Sequence, residues 1–445
     1  MKIVVILSLL SFSLLADMSI DDAWFSVSAK NDGLKASSSD VTRAELKKSS
    51  AESMYLPSVS FTGSYTHLSE AVNVDTTDVS VALASLPIPL PFPSQIDLTK
   101  QDVFLADLHL LWPLYVGGRI DAAQEIYAAQ VSEAKALKEM KKDAEFLKLV
   151  NYYYGVVVSE SLYKTRQQAQ KALHLHYENA QKLKEQGQIA NIELLNAEVK
   201  LDSAKIQTSK AKHKLEVAQS ALFSLTKSSS QASSKLFVNE MMRDEDYYKR
   251  ETEENYAGLK ILDAKASQSA SLLKIKEASW MPEVAAFANY NLYKDNSAIM
   301  STLPTWFAGV VVKINLLQRK DRSQEIQVAQ LLRDKVKYLK LEAIDNLALL
   351  VEKTYKEMMS NKEEFNALNS SLKLANENFR LRSIAFKEGL STSVELVDAQ
   401  IFLLGAQTKI LNAAYNFVKK VSQLVVLSGQ RELFFEIAKS SQEIQ

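Results

Sequence analysis

The sequence predicts a mainly α-helical protein with a small β part, built as two copies of one pattern. Three observations predict it: where the prolines fall, an internal repeat, and four short segments of alternating apolar residues. All 8 prolines of this 445-residue chain lie at Pro57, Pro87, Pro89, Pro91, Pro93, Pro113, Pro282 and Pro304. The spans 114–281 and 305–445 have none and are rich in Ala, Leu, Lys, Glu and Gln, all strong helix formers. A single helix from about Arg119 to Gln186 would be roughly 100 Å long at 1.5 Å per residue, far beyond the usual globular helix.

The repeat is read from two gapless matches. Gly187-Gln-Ile-Ala-Asn-Ile-Glu-Leu-Leu-Asn-Ala aligns with Gly389-Leu-Ser-Thr-Ser-Val-Glu-Leu-Val-Asp-Ala, at an offset of 202 residues. Gly33-Leu-Lys leading to Pro57 aligns with Gly258-Leu-Lys leading to Pro282, at an offset of 225. The difference of 23 residues is extra chain in the first half, expected at 70–100, where Leu86-Pro-Ile-Pro-Leu-Pro-Phe-Pro93 reads as an extended polyproline loop. Each half then reads helix, strand, loop, strand, helix, helix.

The first strand is expected at 58–68, with Val59, Phe61 and Tyr65 on one face and Ser58, Ser60, Thr62, Ser64 and Thr66 on the other. The second, at 103–112, sets Phe104, Ala106, Leu108, Leu110 and Trp112 opposite Asp107 and His109. The third, at 283–293, sets Val284, Ala286, Ala288, Tyr290 and Leu292 opposite Asn289 and Asn291. The fourth, at 306–316, sets Trp306, Ala308, Val310, Val312 and Ile314 opposite Lys313 and Asn315. Strands of about 10 residues with one apolar face fit transmembrane barrel strands. Tyr65, Trp112, Tyr115, Tyr293 and Trp306 near their ends fit interfacial girdles. Two ordinary hairpins packed on a soluble core fit the same alternation, and the pattern alone does not separate the two.

The first residues read as an export signal: Lys2, an apolar core from Ile3 to Leu15, then Ala16 before Asp17. About 13 apolar positions are too few for a spanning helix, which needs roughly 20. The expected organisation is a signal at 1–16, a first repeat at 17–228, a linker at 229–250, a second repeat at 251–428 and a tail at 429–445. With no cysteine, the exported chain has neither disulfides nor a lipid-modified N-terminal Cys. Lys plus Arg equal Asp plus Glu at 53 each, so no bulk field points to nucleic acid. No later segment approaches an 18-residue uncharged apolar run, so any membrane crossing falls to β-strands.

Copy number follows from that geometry. Four strands cannot close a barrel, and an open sheet in lipid leaves edge groups unpaired at several kcal/mol each. Two copies give eight strands, a cylinder filled by its own side chains; three give twelve, wide enough for a lumen. The helices support pooling. Ala190, Leu194, Ala197, Leu201, Ala204, Ala211, Leu215, Ala218 and Leu222 form a 4-3 seam, repeated at Leu396, Ala399, Leu403, Ala406, Ile410, Ala413 and Phe417. A coiled coil without a channel has the same seam.

Reactive chemistry is not legible. The five histidines, His67, His109, His174, His176 and His213, show no zinc-type spacing. Gly117-Gly118 and Gly187 read as turns, since no Lys-Ser or Lys-Thr follows. Tyr152-Tyr153-Tyr154 reads as packing between helices. No catalytic constellation and no cofactor site stands out.

Together, Leu56-Pro57-Ser-Val59-Ser, Trp112-Pro113-Leu114-Tyr115-Val116-Gly117-Gly118-Arg119 and the duplicated Gly187 and Gly389 segments give the chain its resemblance to the TolC-type outer-membrane efflux proteins. The resemblance covers nearly the whole mature length. It implies a homotrimer with a 12-stranded outer-membrane β-barrel, four strands per chain, continued by a long periplasmic α-helical coiled-coil barrel. It implies an exit duct of a tripartite efflux or type I secretion system, set in outer-membrane lipid. The implied partners are a periplasmic adaptor (membrane fusion) protein and an inner-membrane pump of RND, ABC or MFS type. It further implies helix-hairpin tips at Gly187, Gly389 and Ser391. A constriction would form from Glu395 and Asp398, with Glu193 and Asn196 as their first-repeat equivalents. Glu395 and Asp398, three residues apart, share a helix face, and copies around an axis would make rings of negative charge that hold cations. Asp107, His109, Lys313 and Asn315 are expected to face the barrel lumen. The chain departs from the family in having Ser391 where a basic or tethering residue is common. It also lacks a Gly-Gly pair in Ile314-Asn-Leu-Leu-Gln-Arg-Lys-Asp-Arg322. A soluble periplasmic coiled-coil adaptor or scaffold protein would share the signal and the heptads. It would not need two strand pairs with an apolar face and aromatic ends.

Overall fold

The computed structural model describes residues 17–88, 90–294, 297–316, 320–388 and 390–443. The expected signal at 1–16 and the tip residue Gly389 lie outside the described residues.

The first half runs β1 (Asp17–Met18), α1 (Ile20–Lys30), α2 (Asp32–Glu52), β2 (Ser58–His67), β3 (Asn73–Asp75), α3 (Thr77–Ala84), β4 (Gln95–Asp97), β5 (Asp102–Tyr115), α4 (Arg119–Glu185) and α5 (Asn191–Thr226). Between the halves lie β6 (Gln231–Ala232) and β7 (Phe237–Val238). The second half runs α6 (Glu245–Asn255), α7 (Ala257–Glu277), β8 (Glu283–Lys294), α8 (Ala298–Thr302), β9 (Trp306–Lys313), α9 (Arg322–Lys387) and α10 (Ser393–Leu427). The segment expected as a tail carries α11 (Arg431–Ser440) and β10 (Gln442–Glu443).

The duplication is visible in element lengths. α1 and α6 have 11 residues each, and α2 and α7 have 21 each. α4 and α9 have 67 and 66, and α5 and α10 have 36 and 35. Both 21-residue helices tighten into a short 3-10 turn before Leu56-Pro57 or Met281-Pro282, because proline bars a helical residue before it. The extra chain falls where the repeat offset demands: 68–101 between β2 and β5, against 295–305 between β8 and β9. It is not merely a loop. It holds α3 and the small β3–β4 hairpin.

The chain divides into two compact units, one made of Arg43–Val131 with Ala264–Lys337, the other of the remaining segments. The first unit contains the four-stranded antiparallel sheet, in the order β2-β5-β8-β9. Its register carries both faces across all four strands. Phe61 lies opposite Leu108, Leu108 opposite Tyr290, and Tyr290 opposite Trp306, giving one apolar row. Ser60, His109 and Asn289 form a row of the other face, as do Thr62, Asp107 and Asn291.

Three strand expectations change. β5 continues past Trp112 to Tyr115, because Pro113 lies beyond the last β2 pair, Ser58 with Leu111, where no β2 acceptor awaits its missing N–H. A bulge between Ala106 and Asp107 sets Tyr293, not Leu292, opposite Ala106, since one extra residue shifts the period-2 alternation. β9 ends at Lys313, so Ile314 and Asn315 lie outside the strand; β8 begins at Glu283, opposite Lys313, and offers nothing further to pair with.

The second unit is helical around an aromatic core. Phe146 meets Phe434 edge to face at 5.4 Å, and Phe237 meets Phe434 at 5.7 Å. Fully buried Tyr153 donates its hydroxyl to Met18 O (2.6 Å) and accepts from Ser233 N (3.0 Å) and Ser234 N (2.8 Å). It thereby fastens β1 and the chain after β6 to α4, a packing role for the tyrosine triplet. Most of the seam is buried: Ala197, Leu201, Ala211, Leu215 and Leu222 on α5, and Ala399, Ala406, Ile410, Ala413 and Phe417 on α10, whereas Leu194, Ala204, Ala218, Leu396 and Leu403 are half-buried and Ala190 is exposed.

Candidate functional site

The candidate tip lies in the helical unit, where α4 turns into α5 and α9 into α10. α4 ends in a Schellman arrangement: Gly187 N donates to Lys184 O (2.9 Å) and Gln188 N to Leu183 O (2.9 Å). Gly187 has φ +67°, the left-handed region that a glycine enters without steric cost. The second turn has the equivalent bond, Leu390 N to Ala385 O (2.8 Å). Across the first turn, Lys184 Nζ donates to Asn191 Oδ1.

Sequence differences between the halves decide how the two turns are braced. α10 opens with a capping box: Thr392 Oγ1 accepts from Glu395 N (3.3 Å), and Glu395 Oε2 accepts from Thr392 N (2.9 Å). Ser391 Oγ donates to the same carboxylate (2.7 Å), and Arg382 on α9 pairs with it at 3.1 Å. The backbone N–H of Thr392, then the Ser391 hydroxyl, hold Glu395 below the usual carboxylate range. Glu395 is therefore an anchored group. Its first-repeat equivalent, Glu193, sits in the first turn of α5, whose N-cap is Ala190 with no side-chain cap. Glu193 and Asn196 are exposed and are not drawn into a comparable cluster.

Asp398 differs from Glu395. Its carboxylate is 67% exposed and its nearest cation is Lys200 of α5, at 3.7 Å. One residue away, buried Val397 packs with Leu173 of α4 and Leu201 of α5, fixing the helix face that carries Asp398. On α4, His176 is buried, whereas His174 points outward to Glu178 (3.3 Å), the two faces expected for positions two apart. Burial, then the charge of Lys200, lower the His176 pKa and hold the ring neutral.

Arg382 and Lys200 are the tip residues that reading the sequence missed. Arg382 had a signal. It lies seven residues before Gly389 and Glu395 six after it, and antiparallel helices bring such positions together. Its counterpart in the first half is Ala180, which explains why only the second turn has the link. Lys200 had no local signal, because only the packing of α5 beside α10 brings it to Asp398.

The lumen candidates lie in the sheet unit. Asp107, His109 and Lys313 share the polar face, Lys313 opposite Glu283. Asn315, beyond β9, is held by its carbonyl, which accepts from Arg322. Where β5 leads into α4, Gly117 (φ +67°) and Gly118 (φ +79°) make the turn, and a Cβ on Gly117 would come within 2.6 Å of the Met281 Cβ. Among the described residues no helix is long and apolar enough to cross a membrane. The apolar sheet face is open instead, with Phe61 and Trp306 each 65% exposed.

A sheet with one apolar face and two unpaired edges, on a chain that otherwise forms long paired helices, defines a membrane duct assembled from several copies. The profile of the OEP family, outer membrane efflux protein, matches residues 26–226 and 253–430. Solved structures agree in fold. VceC of Vibrio cholerae is 13% identical over 92% of this chain and 96% of its own, with a TM-score of 0.73. CmeC of Campylobacter jejuni is 13% identical over 95% and 90%, with a TM-score of 0.73. The open state of MtrE from Neisseria gonorrhoeae is 13% identical over 93% and 89%, with a TM-score of 0.72. No curated protein matches the chain.

The chain belongs to the outer membrane efflux protein family. It is an outer-membrane efflux channel that spans into the periplasm, a trimeric exit duct of the tripartite type. Membership disfavours the soluble adaptor alternative.

Proposed function

We propose that this channel is a passive conduit gated at its helical tip, and that Asp398 supplies the acidic constriction while Glu395 anchors the helix carrying it. The observation that carries the reading is the difference between the two carboxylates. Glu395 is engaged by Ser391, Thr392 and Arg382, whereas Asp398 is mostly exposed and held by one lysine at 3.7 Å. An exposed acid repeated around an axis forms a ring that attracts cations. Opening then consists of releasing α10 from its Arg382 link to α9 and its Lys200 link to α5. A periplasmic adaptor would drive this, seated on an inner-membrane pump of RND, ABC or MFS type that supplies the energy.

Planar-bilayer recording tests the assignment. Asp398→Asn abolishes block by divalent or polyvalent cations added on the periplasmic side and leaves the trimer intact. Glu395→Gln raises open probability with cation block retained. Unchanged block in Asp398→Asn removes that residue from the constriction.

A further inference from the structure

The connection between β2 and β5 is a folded lobe, not slack chain. β3 and β4 pair from Asn73 with Asp97 to Asp75 with Gln95. Asp75 braces the entry to α3 by accepting from Thr77 N (2.8 Å). The proline-rich run is tied to α3: Thr76 Oγ1 donates to Pro93 O (2.6 Å), Ser80 Oγ to Phe92 O (2.7 Å) and Leu90 N to Leu83 O (3.2 Å). Thus ordered, the lobe turns Val79, Val81, Leu86, Ile88 and Leu90 outward, Ile88 with 78% of its surface exposed. A contiguous exposed apolar patch on an ordered segment marks a contact surface.

Its place in the sheet says what covers it. The lobe hangs from β2, the edge strand whose free side must pair with a neighbouring copy for the barrel to close. It lies at the strand ends away from α2, α4, α7 and α9, joined to the shorter connection by Ile299 N donating to Leu98 O (3.1 Å). In a duct whose helices occupy the periplasm, that end is the outer mouth. Between Leu68 and Gln101 there are four acids, Glu70, Asp75, Asp78 and Asp97, and one cation, Lys100. A lobe of net negative charge is repelled by an anionic lipid surface, whereas the same lobe on adjacent copies offers matching apolar faces.

We propose that the lobes of neighbouring copies meet through Leu86, Ile88 and Leu90, forming an apolar plug over the outer mouth of the barrel. This rests on the trimeric duct reading. A channel so built has a second closure besides the helical tip, and opening it exposes apolar surface to water.

The chain has no cysteine, so a single engineered thiol reports cleanly. Ile88→Cys trimers in sparse proteoliposomes, treated with a mild oxidant, are expected to yield disulfide-linked pairs on denaturing, non-reducing gels. Ile88→Asp combined with Leu90→Asp is expected to raise single-channel conductance. Absence of linked pairs overturns the plug, as does quenching of a fluorophore at position 88 by quencher-bearing lipid, which would place the lobe against the membrane. Failure of the duct reading registers separately, as an unsubstituted chain that forms no heat-modifiable oligomer and carries no current.

Discussion

Single residues in this chain show how charge is used once water is partly excluded. Arg431, at the start of α11, pairs with Glu139 (2.7 Å) and with buried Asp143 on α4. Burial, helped by the nearby charge of Glu139, leaves the Asp143 pKa raised despite Arg431. Burial also pushes Glu139 upward, but the hydrogen bonds from Lys142 and Arg431 outweigh it and leave Glu139 below the usual range. The two acids therefore bias stability in opposite directions. Support from the raised Asp143 is full at low pH and is lost as pH rises through its folded value. Support from the depressed Glu139 is present at neutral pH and is lost as pH falls. Removing the arginine breaks that balance, because it takes the hydrogen-bonded cation from buried Asp143, while Glu139 keeps Lys142. Arg431→Met is expected to loosen α11 by about 3 kcal/mol at pH 7. The loss shrinks toward about pH 4, where carboxylates protonate. Limited proteolysis of the C-terminal segment at the two pH values measures both.

At the scale of elements, the long helices owe their length to composition and their pairing to the seam of small and branched residues. Helix termini, by contrast, depend on one or two positions each. Gly187 illustrates this: a Cβ added there would meet no atom within 4 Å, so a substitution is opposed by backbone conformation alone. Gly187→Ala is expected to cost about 1 kcal/mol, the left-handed penalty of an L-residue, and to fray the end of α4. Hydrogen exchange at Gln186 to Gln188 should accelerate while exchange in the seam stays unchanged; equal rates at the turn would show that the strain is absorbed elsewhere. Repeat alignment made both hairpin turns legible. It also showed Ala190 and Ala180 at the first-half positions of Thr392 and Arg382, but not that these two brace the second turn through Glu395.

The whole molecule is governed by what one copy of the sheet leaves undone. Its apolar face runs from Val59 and Phe61 through Leu108 and Ala288 to Val310, and its outer edges on β2 and β9 have no strand partner among the described residues. Under the proposed assignment of the faces, a charge placed on that face meets lipid, and the same charge on the opposite face meets the aqueous lumen. Val310→Arg is expected to destabilise the inserted barrel by about 2–4 kcal/mol if it lies near mid-membrane, whereas Ser60→Arg changes ion selectivity with little loss of assembly. Heat-dependent gel mobility after refolding into vesicles separates the two, and equal assembly of both variants would contradict the assigned faces.

Composition, proline spacing and alternation by themselves determined the long helices, the four strands, the duplication and the position of the extra chain. These are local properties, written in propensity and in periods of 2 and 3.5 residues. Tertiary structure alone decided the rest. It set the bulge that brings Tyr293 opposite Ala106, folded the insertion into a lobe, and carried Lys200 to Asp398. Each depends on segments distant in sequence coming into register, and such meetings are fixed by packing and chain closure, which no local pattern encodes.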